Sequence, residues 1–247
     1  MTVRGAGIFG LSVAFACAER GARVRVIDPR GVAAGASGGV VGALAPHTPE
    51  NWNDKKEFQF QSLMMAEVFW ARVDGVSGLS SGYARLGRLQ PVPDAQALER
   101  ARARAEEAKT LWRGQALWEV VEAGGPWGPV TPTGLLIHDT LTARLHPRRA
   151  CESLARAVGA LGGEIATGEA AEEGAVVWAR GHEGLAMLSG DLGKAVGTGV
   201  KGQAAVLGMD ARDLPQVFAD GVHIVPHADG TVAVGSTSER EFADGAH

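Results

Sequence analysis

Cysteine is scarce in this chain. The only two, Cys17 and Cys151, fall in segments predicted as helices and make no metal-ligand or redox spacing. No disulfide framework is expected, and a reduced cytoplasmic setting is the simplest reading. Long apolar runs are missing too. No stretch approaches the roughly 18 residues that a membrane span needs, so no transmembrane segment is expected. Nor does the N-terminus read as a signal peptide, because glycines break its apolar stretch. Strong charge of one sign is also lacking. A formal net charge of −4 gives no electrostatic reason to expect nucleic acid or an anionic membrane as a partner. His223 and His227 look like a ligand pair, but four residues along a strand separate them by roughly 13 Å. No metal site is expected. At 45% hydrophobic and 21% charged, the 247 residues have an ordinary globular composition. They suffice for one large domain or two interleaved smaller ones.

Glycine, by contrast, is plentiful, and its placement carries the argument. Arg4-Gly5-Ala6-Gly7-Ile8-Phe9-Gly10 reads as a strand end, a tight turn and the start of a helix. Gly5 permits the turn, Gly7 has no Cβ to block a phosphate, and Gly10 lets helix and strand pack closely. The helix N-terminus then offers free N–H groups and a positive dipole end to an anion. Asp28 stands 18 residues after Gly10, close to the roughly 20-residue offset of a ribose-binding carboxylate. A dinucleotide site follows from the combination.

Around that motif the pattern is β-α-β. Thr2–Arg4 is a very short strand in which Arg4 is unexpected, since a central parallel strand is usually apolar on both faces. A helix over Gly10–Arg20 and a strand over Arg23–Ile27 follow, the strand ending at Asp28. Residues 31–46 are nearly all small and suit close backbone approach to a flat ligand; the alternative is a flexible linker. Helices are predicted over 56–73, with Phe60, Leu63, Met64, Val68 and Phe69 near one face, over Ala95–Trp112, and over Pro147–Leu161. Strands are predicted over Tyr83–Val92, Thr133–His138, Glu164–Thr167 and Ala175–Ala179. Within the last of these, Val176-Val177-Trp178 reads as buried on both faces. Later strands fall at Gln203–Leu207, Val222–Val225 and Thr231–Gly235, with Asp229-Gly230 as a hairpin turn.

Four segments together resemble the FAD-dependent amine oxidoreductases of the D-amino acid oxidase type, among them glycine oxidase, sarcosine oxidase and D-amino acid dehydrogenase. They are Gly5 to Ser12 with Asp28, Gly35-Ala36-Ser37-Gly38-Gly39 continuing through Gly42-Ala43-Leu44-Ala45-Pro46, His146-Pro147-Arg148-Arg149, and Lys201-Gly202-Gln203 with Val225-Pro226 and Gly230 to Thr237. Arg4 and Ala179-Arg180-Gly181 depart from the family pattern. The resemblance implies an α/β fold: a Rossmann-type FAD-binding domain with a parallel sheet, interrupted by a mixed or antiparallel β substrate domain. The expected partition is 1–48 with 142–198 for FAD and 49–141 with 199–247 for substrate. A further family segment that returns to the flavin has no counterpart before His247, so a truncated member is expected.

The resemblance also implies roles. Gly5, Gly7 and Gly10, with Ala6, Ile8 and Phe9 beside them, take the FAD pyrophosphate. Asp28 takes the adenosine ribose, with Pro29 next to it and Arg30 either nearby or simply solvated. Ser37, Gly38 and Gly39 donate to phosphate or flavin oxygens. Gly42, Ala43 and Leu44 pass along the ring, and Ala179 and Gly181 let the chain pass the cofactor. His47 is the local candidate for a polar catalytic group, or else an ordinary loop histidine. The implied reaction takes hydride from an amine-bearing carbon of a small amine or amino acid, followed by imine hydrolysis. An NAD-dependent dehydrogenase and a nucleotide-binding scaffold without catalysis are the alternatives. The acidic balance lends no support to a tRNA-modifying oxidase.

Overall fold

The computed structural model describes residues 1–239; residues 240–247, the end of the expected substrate half, lie outside them. In chain order the strands are β1 (Thr2–Arg4), β2 (Arg25–Asp28), β3 (Ala43–Leu44), β4 (Arg88–Pro91), β5 (Trp118–Glu122), β6 (Leu135–Asp139), β7 (Ala143–Arg144), β8 (Glu164–Thr167), β9 (Val176–Trp178), β10 (Ala204–Gly208), β11 (Gln216–Ala219), β12 (Val222–Pro226) and β13 (Thr231–Gly235). The helices are α1 (Ile8–Ala18), α2 (Asp54–Ser77), α3 (Ala95–Leu111), α4 (Pro147–Ala160) and α5 (Gly181–Leu192).

Two sheets organise the molecule. The first runs β8-β2-β1-β9, every pair parallel. Helices α1 and α4 pack on each other and against its strands. The second runs β10-β13-β12-β11-β4-β6-β5. It is antiparallel except for β4 and β11, which pair in parallel. The expected Asp229-Gly230 turn does join an antiparallel pair, β12 and β13. A two-residue ribbon, β3 against β7, couples the segments that leave and re-enter the first sheet.

The apolar residues gather in two cores. Val3, Leu11, Phe15, Val26, Leu154 and Val158 fill the first; Val92, Trp112, Trp118, Ile137 and Leu141 fill the second. Full burial of a side chain such as Phe15 is worth about 1.5–3 kcal/mol. Helix α2 belongs to both: Phe60 and Leu63 enter the second core, Ala66, Trp70 and Val73 the first. It runs beyond 56–73 because Asn53 caps it, accepting the Lys56 N–H at 3.2 Å, and Gly78 ends it at φ +70°. Val68, expected on its buried face, is 68% exposed.

Other expectations need correction. The strand over Tyr83–Val92 shrinks to β4, because Gly82 and Gly87 hold positive φ and leave only an isolated bridge at Ala84. Val176-Val177-Trp178 is not buried on both faces. Strand β9 ends the sheet order, and Trp178 is 58% exposed. Helix α1 starts at Ile8 rather than Gly10, with Gly7 as N-cap. Strands β5 and β11 and helix α5 lie where no element was expected.

Candidate functional site

At the C-terminal ends of β1, β2 and β9 the chain encloses a cleft of about 440 Å³, within the size range of small-molecule sites. Its floor is the glycine turn. The Gly5 N–H donates to Ile27 O at 2.9 Å, and φ of +116° would strain any other residue. A Cβ there would meet Ala179 O at 2.3 Å. At Gly10 a Cβ would stand 1.9 Å from Gly5 O, so α1 approaches β1 more closely than a side chain allows. The first intrahelical bond is Leu11 N–H to Gly7 O at 3.0 Å. Ile8, Phe9 and Gly10 therefore have no intrahelical acceptor.

One of those three amides is held from a neighbouring loop. The Ile8 N–H donates to Ser37 Oγ at 3.0 Å, which joins the glycine turn to the small-residue segment. Beneath it lies Cys151, fully buried; burial pushes its thiol up to about 11, against a hydrogen bond from Ser37 that pulls the other way.

Asp28 supports the turn from the second strand. Its Oδ2 accepts the Ala6 N–H at 2.9 Å, and its Oδ1 accepts Arg30 N–H at 2.9 Å and Gly31 N–H at 3.1 Å. The carboxylate keeps unused lone pairs for a further donor. On the far side, Gly42 packs flat on the chain before α4. A Cβ there would lie 1.8 Å from Leu145 O, and its own carbonyl accepts the Leu145 N–H at 3.0 Å.

Of the residues singled out in the sequence, Gly5, Gly7, Ile8, Phe9, Asp28, Pro29, Arg30, Ser37, Gly42, Ala43, Leu44, Ala179 and Gly181 line this one cleft. Ala6, Gly10, Gly38, Gly39 and His47 do not. Ala6 and Gly10 are buried behind the wall. The Gly38 and Gly39 amides are engaged in a 3-10 turn, donating to Gly35 O at 2.9 Å and Ala36 O at 3.2 Å, so they are not aimed at a ligand. Gly38 is small for another reason: a Cβ would lie 2.2 Å from Ala33 O. His47 donates its backbone N–H to Gln59 Oε1 at 2.6 Å, outside the cleft.

The cleft also has walls that sequence reasoning missed. Arg4, Leu145, Pro147, Arg180, His182 and Glu183 line it. Arg4 is tolerated because it sits at the strand end, turned toward Glu172 at 2.8 Å and Glu169 at 3.1 Å. Arg180 to Glu183 form the start of α5, so a second helix N-terminus faces the cleft. Gly181, directly after Arg180, was the only local signal for it.

Two helix starts, a cradle of glycines that Cβ atoms would fill, and a strand-end carboxylate are suited to a diphosphate with a ribose attached. Among the described residues no group of three His, Cys, Asp or Glu could hold a metal ion. No described helix is long and apolar enough to cross a membrane.

Comparison with solved structures gives the same fold. Glycine oxidase from Geobacillus kaustophilus superposes with a TM-score of 0.76 at 19% identity, covering 98% of this chain and 72% of that one. Iminodiacetate oxidase from Chelativorans sp. BNC1 gives 0.78 at 20%, covering 100% and 74%. L-amino acid deaminase from Proteus myxofaciens gives 0.70 at 21%, covering 95% and 57%. A search of curated proteins found no match. The family model described as FAD dependent oxidoreductase, DAO, matches residues 1–247. With a family model matched over residues 1–247 and its glycine cradle opening on this cleft, the chain belongs to the DAO family of FAD-dependent oxidoreductases.

Proposed function

We propose that the cleft holds FAD and that the protein oxidises the C–N bond of a small amine or amino acid. The observation that carries this reading is the Ile8–Ser37 hydrogen bond, which makes the glycine turn and the small-residue segment one wall. FAD, when bound, supplies the hydride acceptor.

The chain's own residues bind and orient. The amide of Phe9, at the positive end of α1, would hold the pyrophosphate. Gly7 keeps the approach open. Asp28 accepts from the adenosine ribose while its other contacts keep the turn rigid. The Gly42–Leu44 segment, fixed by β7, lies along the ring, with Ala179 and Gly181 on the opposite wall. His47 has no place on the cleft wall, and no acid–base group is assigned. In this reading residues 1–48 with 142–198 bind FAD, and 49–141 with 199–247 face the substrate. Helix α2 links the halves through both cores. Oxidase activity on small amines also accords with the names of the glycine and iminodiacetate oxidases that share the fold. Two free cysteines suit a reducing, cytoplasmic setting.

The experiment is direct. The protein is purified, incubated with FAD and desalted, and its flavin absorbance is recorded. The flavin-loaded protein is then mixed anaerobically with glycine, sarcosine, iminodiacetate and sets of D- and L-amino acids. Retained flavin bleached by one class assigns the substrate. A protein that stays colourless, or that prefers NADH, sinks the reading. Retained flavin that no amine bleaches leaves the cofactor site standing and removes the amine chemistry.

A further inference from the structure

We propose that Arg30 and Glu183 form an electrostatic gate across the mouth of the cleft, setting how fast the dinucleotide enters and leaves. The inference rests on the reading of the cleft as the FAD site. Arg30 follows the end of β2, and its backbone N–H is fixed by Asp28 Oδ1 at 2.9 Å. Glu183 stands in the first turn of α5, beyond β9 at the other end of the motif. Their side chains meet at 2.7 Å, and both residues line the cleft. The Arg30 guanidinium also lies 3.8 Å from where a Cβ of Gly35 would stand, so it reaches the small-residue wall as well. One side chain thus bridges three walls. Among the described residues no other ion pair has both members on the cleft.

The elements behind the pair can yield. Helix α5 has no buried residue, so little packing resists a shift of its first turn. Its N-terminal dipole end favours a carboxylate at Glu183 and holds that charge in place. The two side chains are 54% and 45% exposed, so their attraction is modest and screened by salt. Such a contact slows passage through the mouth without locking it. Because both side chains line the cleft and stand about half exposed to solvent, removing their contact speeds entry and exit alike.

The test follows flavin, not turnover. FAD binding and release are timed by flavin fluorescence for the wild-type protein, Glu183→Gln, Arg30→Glu and the double variant Arg30→Glu/Glu183→Arg. Both positions are surface-exposed, and thermal unfolding confirms that each variant is folded. Glu183→Gln is expected to speed association and dissociation together by about two- to fivefold, a modest ion pair's worth. High salt brings wild-type rates to the same level, and the charge-swapped double variant returns to slow exchange. Unchanged rates in Glu183→Gln, or a fast double variant, overturn the gate. So does slower release with unchanged association in Glu183→Gln, because Arg30 is then a direct ligand that Glu183 restrains. A wild-type protein that retains no flavin instead overturns the reading of the cleft on which the gate stands.

Discussion

Ser37 Oγ accepts the backbone N–H of Ile8 at 3.0 Å across 29 positions of sequence. A hydroxyl from one loop therefore performs, for the helix of another, the task that an N-cap residue performs for its own. Gly7, the residue at the cap position, has no side chain to do so.

Ser37→Ala leaves that amide without its acceptor. By analogy with lost N-caps, stability falls by about 0.5–2 kcal/mol. The two loops also lose their tie, and flavin affinity weakens by about three- to tenfold. Urea unfolding and FAD titration read the two effects separately.

Two glycine-to-alanine changes should have opposite signs. Gly10→Ala forces a methyl to 1.9 Å from Gly5 O, where only backbone can give way. Loss of more than about 3 kcal/mol, or insoluble protein, is expected. Gly75→Ala lies in α2, with nothing within 4 Å of the new Cβ. It should gain about 0.5–1 kcal/mol from helix propensity alone. Thermal unfolding of both variants checks the contrast.

Stability should fall as the solution is acidified past neutrality. Burial holds His146, His223 and His227 below the ordinary imidazole value of 6.5. Above 6.5 all three are neutral in both states, and stability is complete. Below it the unfolded chain takes up protons that the folded chain refuses, and stability drops. Among the described residues the His227 ring has one hydrogen-bond partner: Nε2 donates to Val40 O at 2.8 Å, which fixes its proton there. His227→Gln should lessen the fall of Tm below pH 6.5, His146 and His223 keeping the rest, whatever its effect on absolute stability. Glu57 acts in a separate window. Held down to about 2, chiefly by Arg113, it contributes above its ordinary 4.5 and is lost only toward that lower limit.

The two thiols should differ in reactivity. Cys151 is fully buried with its thiol pushed up to about 11, whereas Cys17 is half-buried. A thiol reagent at neutral pH should label Cys17 alone in the native protein and both residues after unfolding. Native labelling of Cys151 would mean that the Ser37 loop opens.

What the sequence disclosed was local. The glycine turn, its helix and Asp28 were readable because the spacing of a few residues determines them, and the structure brings them to one cleft. The family resemblance was readable for the same reason. What stayed hidden depends on distant partners. Strand β11 is an exception: the Asp220-Gly221 turn that joins it to β12 was a local signal that went unread, and only its second partner, β4, is distant. Helix α5 carries Gly181, Gly184 and Gly190, lacks a side-chain cap, and buries nothing, so no pattern marked it. Arg30 was recognised as ambiguous from its position. Its partner Glu183 was out of reach, since only the fold brings positions 30 and 183 together. Gly38 and Gly39 were misread for a related reason: their amides close a turn that the glycine-rich composition conceals.

Strand β1 pairs on one side with β2 and on the other with β9, and Thr2 Oγ1 donates to Glu173 O across 171 positions. On the ribosome, β1 must wait for its second neighbour, β9, long after β2 has been made. Loop closure over such a span is slow, and until it happens the edge of β1 stays open to other chains. Until β9 arrives, the nascent protein is therefore open to aggregation along the strand that carries its nucleotide motif.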